Sequence, residues 1–184
     1  HYTEKLFCTN NLPTFYYRPT IPKNSYKSKS DLGFKEKERL YLCSQNLRKI
    51  TPDFDKILGD ILREDHEGKI LLIHDKQKEI TNIMKYRLGV SQADVADRFI
   101  FLPRMEEFDY LSMVANSEVI LDTTNYSSGA NTCYDAFSMG KPIITLPSDF
   151  HRGRYTYATY EQIGLDSLIA NSDENYVKLA TNIA

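Results

Sequence analysis

The chain has 184 residues, 41% hydrophobic and 26% charged, with a formal net charge of −2. That length is enough for one domain with a real core, and the near-neutral balance excludes a broad electrostatic footprint for nucleic acid or an anionic membrane. Cys8, Cys43 and Cys133 are odd in number and widely spaced, which argues against a disulfide framework or a metal knuckle and predicts a reducing, cytoplasmic setting.

No apolar run approaches the roughly 20 residues of a transmembrane helix, and no signal peptide is visible. Residues 1–38 carry Pro13, Pro19 and Pro22, which break regular structure, and the aromatics Phe7, Phe15, Tyr16 and Tyr17. They predict an extended linker that crosses the surface and packs its aromatics on a neighbouring domain. The basic cluster over residues 23–37 is balanced by Asp31 and Glu36 and reads as solvated linker. From Arg39 the pattern becomes one of strands alternating with helices, so residues 39–184 form the predicted folded domain.

The first strand covers residues 40–43. Pro52 after Thr51 suits a first helical turn. Phe54, Ile57, Leu58, Ile61 and Leu62 then follow the spacing of a core-facing helix. A second strand spans residues 69–74, ending at His74, a histidine read as structural. Ile80, Ile83, Met84 and Leu88 mark a helix stopped at Gly89. Residues 99–102 are a third strand, and Phe108, Leu111 and Val114 a third helix. Residues 119–121 are a fourth strand, followed by a small-residue loop and a helix opening at Asn131 and Thr132. Residues 143–145 make a fifth strand, residues 155–163 a helix ending at Gly164, and residues 168–169 a short last strand. A helix from residue 173 closes the chain. Near-continuous apolar strands between helices predict an α/β fold, a Rossmann-like parallel sheet covered on both faces.

Four loops follow strands and therefore gather at the carboxyl edge of that sheet, where open α/β folds bind ligands. In residues 129–135, small residues let the backbone approach a pyrophosphate. Asn131 and Thr132 open a helix whose N–H groups and dipole face an anion, and Asp135 can accept ribose hydroxyls. Gly129 belongs to the same stretch. In the loop after the first strand, Gln45 and Asn46 lead to Lys49, a point charge suited to phosphate. After the third strand, Pro103 and Arg104 offer backbone and guanidinium groups to a base. After the fifth, His151, Arg152 and Arg154 lie near the same edge, with Arg154 aimed at a phosphate or capping the fold. His151 is a weaker candidate for a base, and Cys133 reads as a packing residue.

Several of these stretches resemble the O-GlcNAc transferase family, in its bacterial SPINDLY-like branch. They are residues 45–54, 98–103, 119–123, 129–132 and 140–147, together with Arg152-Gly153-Arg154, Gly164-Leu165, residues 175–180 and the opening residues 1–6. The resemblance runs over most of the chain, in order and at matching spacing. It implies a GT-B architecture of two Rossmann-like domains, of which this chain is the carboxyl-terminal, donor-binding one.

By the resemblance, Lys49 contacts the diphosphate and is the catalytic candidate, Asn131 and Thr132 supply the helix terminus, and Asp135 holds the ribose. Asn46 stands where animal relatives carry Gln, and Ala130-Asn131-Thr132 replaces their His-Thr-Thr run. A nucleotide-binding Lys and His of those relatives fall on Glu107 and Tyr110. The implied reaction is inverting transfer of a sugar, GlcNAc foremost, from a UDP-sugar to a protein hydroxyl or amide, with no metal and no further cofactor. The implied partners are the donor, a protein acceptor, an absent amino-terminal catalytic domain and tetratricopeptide repeats. The opening at His1 and the close inside a helical pattern agree with a piece of a longer chain. Two other readings stay open: a non-catalytic Rossmann-like binding module, and a GT-B sugar-nucleotide epimerase.

Overall fold

The computed structural model describes residues 3–5, 7, 9–12, 14–127 and 129–184. The readings on Cys8 and Pro13, and part of the 1–6 stretch, lie outside the described residues. Five strands, β1 (Arg39–Cys43), β2 (Gly68–Ile73), β3 (Phe99–Leu102), β4 (Val119–Leu121) and β5 (Ile143–Ile144), form one sheet in the order β3-β2-β1-β4-β5. Every pairing is parallel. The predicted sixth strand is reduced to a parallel bridge between Thr145 and Ile169.

The helices are α1 (Pro52–Glu64), α2 (Lys78–Ser91), α3 (Glu107–Asn116), α4 (Gly129–Ser138), α5 (Tyr155–Ile163) and α6 (Asp173–Ile183). Alternate strand residues feed two cores. Tyr41, Cys43, Ile70, Leu72, Val119 and Leu121 meet α1, α2 and α6 on one face. Leu40, Leu42, Leu71, Ile120 and Ile143 meet α3, α4 and α5 on the other. Burial on both faces is why these strands read as continuous apolar runs. The α1 stripe of Phe54, Ile57, Leu58, Ile61 and Leu62 is wholly sequestered, each side chain contributing about 2 kcal/mol relative to an exposed one.

Some local signals yield to tertiary context. Helix α2 runs through Gly89 to Ser91, because one exposed glycine costs only about 1 kcal/mol in a helix that Met84 and Leu88 anchor in the core. Ile83 sits on its solvent side. Thr51 is the N-cap residue of α1, yet its hydroxyl makes no capping bond. Its carbonyl accepts the N–H groups of Phe54 and Asp55 instead. Gly164 ends α5 in the left-handed conformation at φ 69°, where a side chain is strained.

In the 23–37 basic cluster, Lys29 departs from the solvated reading. It is buried and pairs with Glu118 at 2.8 Å. Lys27 bonds Asp109 at 2.7 Å, and its carbonyl accepts from Asn116. The stretch before β1 is thus pinned to α3 and the start of β4.

Candidate functional site

Strand order places the site. The winding of the sheet reverses between β1 and β4: the connections of β1 lead to α1 on one face, those of β4 to α4 on the other. A crevice therefore opens between the loops that follow these two adjacent strands, the topological switch point at which doubly wound sheets bind ligands.

Two of the predicted loops are joined there by side chains. Asn46 caps the short 3-10 turn Leu47–Lys49, its Oδ1 accepting from the Arg48 N–H at 3.0 Å. That turn directs Lys49 inward. The Lys49 ammonium donates to Gln45 Oε1 and to the Ser127 carbonyl, both at 3.1 Å. Gln45, itself buried, donates through Nε2 to Thr132 Oγ1 at 2.9 Å. The cation is thus seated beside the first turn of α4. Burial lowers the Lys49 pKa below the ordinary lysine value, against the pull of Asp122 and Cys43.

Asp122, just past the end of β4, is a hub that no local signal marks. Its carboxylate accepts from Ser127 Oγ at 2.9 Å and Thr145 Oγ1 at 2.8 Å, and its carbonyl accepts from the Tyr176 hydroxyl at 2.8 Å. It ties the β4 loop to β5 and α6. A second brace comes from the Arg152-Gly153-Arg154 stretch: the Arg152 carbonyl accepts the Ser127 N–H at 2.9 Å. Gly153 is packed so closely that a Cβ there would lie 2.0 Å from Ser148 Oγ.

One turn into α4, Asp135 is half-buried. Burial raises its pKa above the ordinary carboxylate range, the Tyr110 hydroxyl draws it back, and Glu107 pushes it up again. Tyr110, pushed up to about 12 by its own burial, also lies 3.2 Å from Ser44 Oγ. Sequence reading leaves Ser44 unmarked, and it marks Tyr110 only as standing where relatives carry a nucleotide-binding histidine. Burial likewise pushes the Cys133 thiol up to about 12, which suits a packing residue and not a nucleophile.

The remaining predicted residues divide. Gln45, Asn46 and Arg104 share a cavity of about 320 Å³ with His74, Glu107 and Tyr110. Pro103 is exposed at the end of β3. Gly129, at φ 71°, opens α4, two residues before the predicted start, and leaves Asn131 exposed within its first turn. The Asn131 amide oxygen accepts the Tyr16 hydroxyl, and the Tyr16 ring lies 5.1 Å from that of Tyr134, so the aromatic segment before β1 reaches α4. Arg154 is occupied elsewhere: its guanidinium donates to the Ser148 carbonyl at 3.0 Å and stacks over Tyr157 at 4.3 Å. It supports the loop that braces Ser127. His151 packs edge-on to Tyr155. Among the described residues, no cluster of three His, Cys, Asp or Glu is placed to hold a metal ion, and no helix is long and apolar enough to cross a membrane.

A Rossmann-like sheet with a seated lysine and a helix terminus at its switch point has the arrangement that doubly wound domains use to hold phosphate ligands. The sequence profile of glycosyl transferase family 41 matches residues 21–184, and the chain belongs to that family. It is 26% identical over its whole length to the probable UDP-N-acetylglucosamine–peptide N-acetylglucosaminyltransferase SEC of Arabidopsis thaliana, covering 19% of that protein. It is 23% identical to the SPINDLY protein of the same plant over 76% of the chain and 15% of the relative. The chain thus spans less than a fifth of these curated relatives. Among solved structures, a Thermobaculum terrenum O-GlcNAc transferase mutant aligns with TM-score 0.72 and 25% identity, over 79% of this chain and 28% of that one. A UDP-GlcNAc 2-epimerase from Neisseria meningitidis aligns at 0.56 with 11% identity, over 82% of this chain and 36% of that one. At that identity the likeness is one of fold alone. The fold is the Rossmann-like domain of GT-B glycosyltransferases.

Proposed function

We propose that this chain is the donor-binding half of an inverting glycosyltransferase that moves a sugar from a UDP-sugar, GlcNAc foremost, to a protein side chain. One observation carries the reading: Lys49 is seated between Gln45 and the Ser127 carbonyl, beside the first turn of α4, with Asp135 one turn further in. Family membership supports it, as do relatives whose names describe transfer of N-acetylglucosamine to peptide.

In this reading the diphosphate lies against Lys49 and the N-terminal turn of α4, at Asn131 and Thr132, where N–H groups and the dipole favour negative charge. Asp135 accepts the ribose hydroxyls. Gln45, Asn46 and Arg104 line the chamber for the base, with Pro103 at its outer end, and Gly129 and Arg154 act through the loop backbone. During transfer the acceptor oxygen bonds to the anomeric carbon as its bond to the diphosphate oxygen breaks. The acceptor proton passes to a base supplied outside this chain. The negative charge that grows on UDP is met by Lys49 and the helix terminus, in place from the start, which is how a preorganised site lowers a barrier. These groups stand where a leaving-group metal would otherwise act, so the reaction needs no metal.

Titration of the chain with UDP and, separately, GDP, followed by amide NMR shifts, tests this. UDP is expected to shift Lys49 and residues 131–135, and Lys49→Ala to weaken UDP by roughly 10- to 100-fold, the loss of one charge-assisted contact. The chain alone should transfer no sugar. Response to GDP only, or to neither nucleotide, overturns the donor assignment.

A further inference from the structure

Asn46 stands between two chambers of the crevice. On one side is the cavity of about 320 Å³ with Gln45, Arg104 and Tyr110. On the other is a cavity of about 470 Å³ lined by Asn46, Lys49, Thr51, Asn125, Tyr126 and Arg152. Both volumes suit small-molecule sites, which run from roughly 300 to 1,000 Å³. Asn46 is a wall of each.

The second chamber has an unusual floor. Asn125 is the only non-glycine residue at positive φ among the described residues, at 63°, a conformation that asparagine tolerates better than most. This bend, with Thr123 Oγ1 donating to the Tyr126 carbonyl at 2.6 Å, throws the Tyr126 ring over the Lys49 ammonium, 4.7 Å from the ring centre. Nearly half of Tyr126 remains exposed, 48%. The chamber therefore presents an aromatic plate, two amides (Asn46 and Asn125) and two guanidiniums, Arg48 and Arg152, the latter resting on Phe150 at 4.5 Å.

A pyranose has apolar C–H faces and a polar rim, and an aromatic plate with amides at its edge is complementary to both. Geometry supplies the direction. With the diphosphate at Lys49 and the nucleoside on the Asp135 and Tyr110 side, the second ester of the diphosphate exits toward the opposite chamber. Resting on the donor-site reading above, we propose that Tyr126 is the sugar platform of this half, with Asn125 as its rim partner. Sugar recognition then belongs partly to this chain.

The test measures UDP-N-acetylglucosamine and UDP affinities on the full chain by calorimetry and reads their ratio. Tyr126→Leu is expected to lower the preference for the sugar nucleotide by roughly three- to tenfold, the range of an aromatic contact, and Tyr126→Phe to keep it. Asn125→Gly preserves the left-handed bend and deletes the amide, so a smaller drop is expected there. Amide shifts add a second readout: UDP-N-acetylglucosamine should move residues 125–126 beyond their position with UDP. A ratio unchanged in Tyr126→Leu, with UDP still bound at Lys49, overturns the platform and leaves the donor site standing. Failure of UDP itself to bind overturns both.

Discussion

Asp65 at one edge of the sheet and Lys49 at the other hold their charges in opposite ways. At the amino edge, charges are closed on one another. Asp65 accepts from Arg39 Nε at 2.6 Å, from the Tyr41 hydroxyl at 2.7 Å and from the Glu67 N–H at 3.0 Å. Lys29 likewise pairs with Glu118 at 2.8 Å. At the carboxyl edge, Lys49 makes its two hydrogen bonds to neutral oxygens, Gln45 Oε1 and the Ser127 carbonyl. A buried charge with an opposite partner is stabilised but committed. A half-buried cation held by neutral dipoles keeps its charge for a ligand. On the proposed function, one edge serves stability and the other binding, within the same five strands.

The comparison is broken most directly at Asp65. Asp65→Ala should cost about 3 kcal/mol in chemical denaturation, since it strands the Arg39 and Tyr41 donors, while the folded fraction keeps its nucleotide affinity. Loss of affinity alongside stability would mean that the two edges are coupled. The same group sets an acid dependence. Burial raises the Asp65 pKa, but the bonds from Arg39, Tyr41 and Glu67 outweigh it, and the net shift is downward. Its stabilising share is therefore full above the unfolded value of 3.8 and is lost as pH falls through the lower folded value. Asp65→Asn should flatten that acid limb in a denaturation series.

Gly153→Ala gives an intermediate effect of about 1–3 kcal/mol, the usual cost of forcing atoms into a packed site. It acts through the 148–154 loop that braces Ser127, so nucleotide affinity should fall with it. A stable variant with full affinity would show that the brace is dispensable.

The smallest effect is that of pH on binding. The protonated Lys49 is the form that holds an anion, and its pKa lies below the ordinary lysine value of 10.5. UDP affinity should then be level at neutral pH and decline on the alkaline side before an ordinary lysine would titrate. Affinity that stays flat through that range assigns the diphosphate to another group.

Much of the fold is legible in the sequence. The α1 stripe, the first four apolar strands and the glycine stop at Gly164 are local signals, and each forms where its spacing places it. Lys49, Asn131, Thr132 and Asp135 are legible as candidates because loops after parallel strands share an edge. Local signals fail at Gly89, where buried Met84 and Leu88 outweigh one residue's propensity, and at Lys29, whose partner Glu118 lies 89 residues away.

The sequence by itself determined the α/β class, the edge at which the loops after the strands gather, and the residue types those loops carry. Only the tertiary structure decided which of those residues meet. Gln45 reaches Thr132 across 87 residues and Lys49 reaches Ser127 across 78. Arg154 is turned to Ser148, and Tyr126 is brought over Lys49. These pairings follow from the position of β4 beside β1, which depends on the summed burial of the whole sheet and leaves no mark on any short stretch of chain.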